Sequence, residues 1–116
     1  MITQTLTLDM IPGKEPQDIH INQNDKGNQI VFTLTKDGAA YTPTGTYTIQ
    51  GVKPSGKFSV VCTKSNNKVI ATLTEAITSD AGKIPCQILE TDGTNKTGSQ
   101  LFMLNIQRRA YDNTNV

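Results

Sequence analysis

Ile30-Val31-Phe32-Thr33-Leu34-Thr35-Lys36-Asp37-Gly38 is the stretch that decides the fold. Side chains alternate along an extended chain, so Ile30, Phe32 and Leu34 share one face while Val31, Thr33 and Thr35 take the other. An apolar row backed by a threonine-rich row describes a strand buried on one side. Asp37-Gly38 follows at once. Glycine reaches positive φ without a Cβ clash, so the chain reverses there.

The same period of two runs outward in both directions. Upstream, Leu6, Leu8 and Met10 alternate with Thr5, Thr7 and Asp9 until Pro12-Gly13 breaks the run. Ile19 and Ile21 flank His20 in a short second segment, and the polar run from Asn22 to Asn28 reads as a turn. Downstream, Tyr41, Pro43 and Gly45 make an extended connection. The next strand has Tyr47 and Ile49 on one face and Thr48, Gln50 and Val52 on the other. Lys53-Pro54-Ser55-Gly56 ends it, with proline setting φ and glycine permitting the reversal.

Phe58, Val60 and Cys62 alternate next, and Ser65-Asn66-Asn67-Lys68 reads as a hairpin loop into Val69, Ala71 and Leu73. Thr74 to Gly82 interrupts the pattern and predicts one helical turn with Gly82 as its stop. Alternation resumes at Ile84, Cys86 and Ile88. Asp92-Gly93 is a turn whose loop runs on through Asn95 and Gly98. In the last strand Phe102, Leu104 and Ile106 oppose Leu101, Met103 and Asn105, and Arg108-Arg109 closes it.

Roughly seven or eight short strands joined by Gly, Pro and Asn turns describe an all-β domain, an antiparallel β-sandwich with at most one short helical turn. Its expected inward layer is Phe32, Leu34, Ile49, Val69, Ile88 and Leu104. Residues 1–110 form the sandwich domain in this reading, and the polar residues 111–116 form a tail or linker. Composition agrees: threonine, valine and isoleucine are plentiful and alanine is scarce, and β-branched side chains favour the pleated surface.

Charge and length exclude several functions. Lys+Arg is 11 and Asp+Glu is 10, a net charge of +1, so no basic excess marks a nucleic-acid binder. No apolar run approaches the ~20 residues that cross a bilayer. Met1 to Thr5 carries neither a basic region nor an apolar stretch, so no secretory signal is expected. A chain that is 35% hydrophobic can still bury one modest core.

Catalytic patterns are absent from the sequence. The lone His20 lies between two isoleucines, and no His, Cys and Asp cluster has zinc spacing. Asn24, Asp25 and Asn28 lack the carboxylates and terminal Glu of an EF-hand and read as a self-capping turn. The glycines are single, with no phosphate-cradling loop. Glu90 and Asp92 beside a turn read as solvated carboxylates. Cys62 and Cys86 each sit in an apolar alternating segment and read as small buried hydrophobes, with a disulfide between them left open. The expectation is no catalytic, cofactor or metal residue and no enzyme activity. Function then falls to edges and loops, because an unpaired strand edge is a template for another chain. A sugar-binding module is a further reading, with only Tyr41, Tyr47 and Tyr111 to offer as a platform.

One resemblance goes further. Asn24-Asp25, Asn28, the strand and turn from Ile30 to Gly38, Tyr41, Pro43 and Gly45 resemble the opening of the N-terminal domain of phage baseplate upper proteins, a domain type also found in phage head-fibre proteins. That opening runs from a polar turn through an F-x-L strand and D-G-x-x-Y-x-x-x-G to K-P-D-G. Here the last element is Lys53-Pro54-Ser55-Gly56, with serine in place of aspartate. Ala81-Gly82-Lys83, the Ile84 to Glu90 strand and Phe102-Leu104-Ile106 are similar to its closing rhythm, so the likeness spans Thr3 to Arg109.

The resemblance implies an immunoglobulin-like sandwich and a virion structural protein. It would anchor a fibre or receptor-binding apparatus to a baseplate ring, or dock on the capsid as a head-fibre or decoration protein. The implied partners are phage structural proteins, with a homo-oligomer, a trimer first, and assembly in the bacterial cytoplasm. The sequence ends at Val116 without heptads or a shaft, which is expected of an anchoring fragment, a chain without its distal part, or a small decoration protein. Asp25, Asp37-Gly38, Tyr41 and Pro54 to Gly56 are the expected loop-fixing residues, and Thr3 to Met10 and the segment from Arg108 are the expected contacts.

Overall fold

A computed structural model describes residues 2–66 and 68–108. The expected tail, with Arg109 and Tyr111, lies outside the described residues. Two mixed sheets pack face to face. In chain order the elements are β1 (Thr3–Asp9), β2 (Gln17–Asn22), β3 (Gln29–Lys36), β4 (Ala39–Ala40), β5 (Thr46–Lys53) and β6 (Gly56–Val61). They continue as β7 (Thr63–Ser65), β8 (Lys68–Thr72), α1 (Glu75–Thr78), β9 (Gly82–Asp92), β10 (Asn95–Gly98) and β11 (Phe102–Gln107). The first sheet has the order β1-β3-β8-β7, with β4 also on β3. The second is β2-β11-β9-β5-β6, with β10 also on β9.

The all-β sandwich is the fold the alternation predicts, and every expected strand is present. Three further strands occur where the sequence reads as connections: β4, β7 and β10. They are short and almost wholly exposed, so no apolar alternation marks them.

The strand directions correct the antiparallel expectation. β1 runs parallel to β3, from Thr3↔Gln29 to Asp9↔Thr35, and β2 runs parallel to β11, from Phe102↔Gln17 to Gln107↔Asn22. The chain passes from one sheet to the other between β1 and β2, so each joins the edge of its sheet beside a strand far away in sequence. Hairpin signals fix the direction of local pairs and carry nothing about such remote ones.

A second crossing closes the opposite flank. The run Gly56 to Ser65 pairs first with β5 and then with β8, and it changes sheet at Cys62. The Cys62 N–H still donates to the Tyr47 carbonyl at 2.8 Å. The hairpin at Ser65↔Lys68 therefore joins β7 to β8, not the Phe58–Cys62 strand to β8.

The helical turn falls where expected, at Glu75–Thr78, but Ser79 ends it. Gly82, expected as the stop, instead opens β9 at φ +127°. The turn is anchored through Thr78, whose buried hydroxyl donates to the Asp25 carbonyl at 2.7 Å.

All six expected inward residues are buried, joined by Leu6, Leu8, Ile30, Tyr47, Ile84 and Phe102. Phe32 from one sheet and Phe102 from the other meet with ring centroids 5.2 Å apart, tilted at 53°. Each such side chain contributes about 1.5–3 kcal/mol when fully buried, and these supply the driving force. Gly51 leaves room for the Phe58 ring: a Cβ there would lie 2.7 Å from the nearest ring carbon and 2.9 Å from the Cys86 sulfur.

Candidate functional site

Two buried carboxylates organise the polar interior. Asp9 ends β1 at 6% exposure. Its Oδ1 accepts the backbone N–H groups of Ile11 at 2.8 Å and Asp37 at 3.1 Å, and its Oδ2 accepts the Gly38 N–H and the Thr35 hydroxyl at 3.0 Å each. Burial alone would raise its pKa, but these donors together hold it down at about 2. Gln100 locks the same corner. Its Oε1 accepts the Asp9 N–H at 2.7 Å and its Nε2 donates to the Glu15 carbonyl at 2.9 Å. Asp37 and Gly38 both have positive φ, as the Asp-Gly signal predicts, and Asp9 accepts both their amides.

The second carboxylate corrects the reading of Glu90 and Asp92. Asp92 is exposed, but Glu90 is 5% exposed and packs at the end of the core. Tyr41 Oη donates to its Oε1 at 2.8 Å, and Tyr47 Oη donates to its Oε2 in a very short bond. Burial and the Glu90 hydrogen bond push the Tyr47 phenol well above its usual range, and the bond to Glu90, then burial, push Tyr41 up. Tyr47 is fully buried and offers no face for sugar stacking, while Tyr41 is half-buried, packs against the core and has its hydroxyl engaged. Tyr111 lies outside the described residues.

Other expected residues are scattered. Asp25 and Asn28 share a turn, with Asn28 Nδ2 donating to Asp25 Oδ2 at 3.4 Å. The Pro54 turn is tied down by Asp80, whose Oδ2 accepts the Ser55 N–H at 2.7 Å, and that bond lowers the Asp80 pKa. Cys62 and Cys86 are buried free thiols, pushed by burial to about 11 and about 12. Thiols so protonated are poor nucleophiles. His20 is exposed on β2. No group of three or more His, Cys, Asp or Glu is placed to hold a metal among the described residues.

Sequence reasoning missed Asp9, Ser99 and Gln100. Asp9 looks like one more outward residue in a Thr-x-Thr-x-Asp row, and Ser99-Gln100 looks like loop. Ser99 is buried nonetheless: its hydroxyl accepts the Ile88 N–H at 3.0 Å and donates to the Gln100 carbonyl at 2.8 Å.

On the outer face of the second sheet lies an open groove of about 480 Å³. Val52, at 57% exposure, and Leu101, at 48%, stand at its walls beside Pro85. The β5–β9 ladder stops at Gly51↔Cys86, and Pro85, the next residue, has no N–H to extend it. Gln50, Gln87 and Lys57 supply the polar rim. An apolar groove rimmed by two amides and one lysine suits contact with another protein, and the Cys86 thiol in its lining is held protonated by burial.

These features define a β-sandwich whose two buried carboxylates are spent on holding corners, with an apolar groove on a sheet face. No family model and no curated protein matches the chain. Among solved structures it is similar to the N-terminal domain of phage TP901-1 ORF48, with a TM-score of 0.70 and 14% sequence identity. The match covers 92% of this chain and 99% of that one, so the two share a fold over nearly their whole length.

Proposed function

We propose that the chain is a phage virion structural protein. Residues 1–110 serve as a docking module that holds a fibre or receptor-binding apparatus on the baseplate through contacts with other virion proteins. The observation that carries this reading is the fold shared with the N-terminal domain of a phage protein over 92% of the chain. The sequence likeness to baseplate upper proteins supports it independently. The buried, saturated carboxylates fit it too, because Asp9 and Glu90 have their lone pairs committed to holding turns and tyrosines rather than to a substrate. The work of such a module is shape and surface complementarity, and repetition around a symmetric particle multiplies weak contacts into stable attachment.

Mass spectrometry of purified virions from the phage that encodes this chain tests the reading. The chain is expected in several copies per particle, cross-linked to a tail protein. Particles that lack it refute the virion role, and cross-links confined to the capsid refute the baseplate role.

A further inference from the structure

Both sheets end in edges, and the molecule treats its two flanks differently. On one flank, β1 and β2 are blunted by glutamines. Gln4 Nε2 donates to the His20 carbonyl of β2 at 2.9 Å, and Gln17 Nε2 reaches the Thr7 carbonyl of β1 at 3.4 Å. On the other flank, β7 is only three residues long. Its neighbour β6 runs for six, and no side chain among the described residues bonds its outward backbone.

The phase of the β5–β6 hairpin says which groups point out. Lys53↔Gly56 closes a two-residue turn, so hydrogen-bonded pairs recur at Gly51↔Phe58 and Ile49↔Val60. The Cys62 N–H to Tyr47 carbonyl bond continues that phase. The N–H and C=O groups of Lys57, Ser59 and Val61 therefore face away from β5. Their side chains stand on the outer face, where Val61 is 70% exposed and Val52 57%. An open edge beside exposed valines invites strand addition.

We propose that β6 is the two-fold interface of a homodimer, in which it pairs antiparallel with β6 of a second copy about Ser59. The sequence of the edge is self-complementary in this register. Ser59 faces its own mate, and Lys57 lies opposite the partner's Val61, so no two charges of like sign are opposed and the lysine stem covers the valine. All three outward residues engage, giving about six hydrogen bonds, two for each directly opposed pair. Moving the register two residues towards Lys57 leaves Val61 unpaired. The next step beyond that sets Lys57 against its own mate. In the centred register, therefore, a second copy engages all three outward residues with no like charges opposed. Pairing joins the two second sheets into one continuous sheet.

Sedimentation equilibrium on the full chain, from micromolar to millimolar, tests the proposal. The mass is expected to rise from one chain to two with concentration. Ser59→Pro deletes an N–H that faces off the sheet, a position where an edge strand tolerates proline, and is expected to hold the mass at one chain. Val61→Lys sets ammonium groups against each other twice in each dimer and is expected to weaken pairing about tenfold; Val61→Glu, facing Lys57, tightens it several-fold and loses that gain in high salt. If Ser59→Pro unfolds the chain, seen as loss of its β circular dichroism, the two Val61 variants at this exposed site decide alone. A single-chain mass for the unaltered protein throughout overturns the proposal. So does a three-chain mass, or association indifferent to the sign of the charge at position 61.

Discussion

Replacing Asp9 with alanine removes the acceptor of four donors at once: the amides of Ile11, Asp37 and Gly38 and the hydroxyl of Thr35. A hydrogen bond to a charged group is worth about 1.5–3 kcal/mol in a buried setting, but these donors are partly buried and water can reach some of them after the change. The expected loss is about 3 kcal/mol, a large share of the roughly 5–15 kcal/mol that holds a domain of this size together. The pH dependence tests the cause. Asp9 titrates at about 2 in the folded chain against an ordinary 3.8, so its contribution is complete above pH ~4 and is lost as the pH falls through ~2. That contribution is at most about 2 kcal/mol. Asp9→Asn keeps the shape and cannot ionise, so it is expected to fall about 2 kcal/mol below the unaltered chain at pH 7 and to converge with it near pH 2. Urea unfolding followed by circular dichroism measures both, since the chain has no tryptophan. An Asp9→Ala loss below about 0.5 kcal/mol, the range of ordinary surface changes, refutes the reasoning. An Asp9→Asn gap that stays the same at both pH values refutes it as well.

Four further outcomes follow from the interior. Gly51→Ala drives a Cβ into the Phe58 ring and the Cys86 sulfur and is expected to cost about 1–3 kcal/mol in a urea midpoint series, while Gly98→Ala meets only the flexible end of Gln87 and costs less. Glu90→Leu leaves two phenol hydroxyls without their acceptor and is expected to lose about 2 kcal/mol, with Glu90→Gln retaining part of it. In the unaltered chain the raised phenol pKa values favour the folded state up to the ordinary tyrosine value near 10, and that stability drains away as the pH rises beyond it. Alkylation at pH 8 is expected to label neither Cys62 nor Cys86 until denaturant is added, and rapid native labelling of either contradicts its burial.

The strands and the inner layer were legible because they rest on local rules. Phe32, Leu34, Ile49, Val69, Ile88 and Leu104 could be assigned to one face each by period alone, and a side chain's face in a strand does not depend on the partner strand. The turns at Asp37-Gly38 and Pro54 to Gly56 were legible for the same reason, since backbone conformation there is set by the residue itself.

Partnership was not legible, because it depends on contacts between residues far apart in the chain. Nothing in Thr3 to Asp9 announces a parallel neighbour at Gln29 to Thr35, and nothing at Cys62 announces a change of sheet. Glu90 reads as solvated, and Asp9 as one more residue opposite the apolar row, because a carboxylate's environment is built by others: Tyr41 and Tyr47 for the first, Gly38 and Thr35 for the second. The sequence by itself determined a two-layered β-domain with a defined inner face and defined reversals. Only the tertiary structure decided which strands became edges, which acids became anchors and which valines remained on the outside. The physical reason is range: alternation and turn chemistry act over a few residues, whereas hydrogen-bond satisfaction and exposure are settled only after distant segments meet.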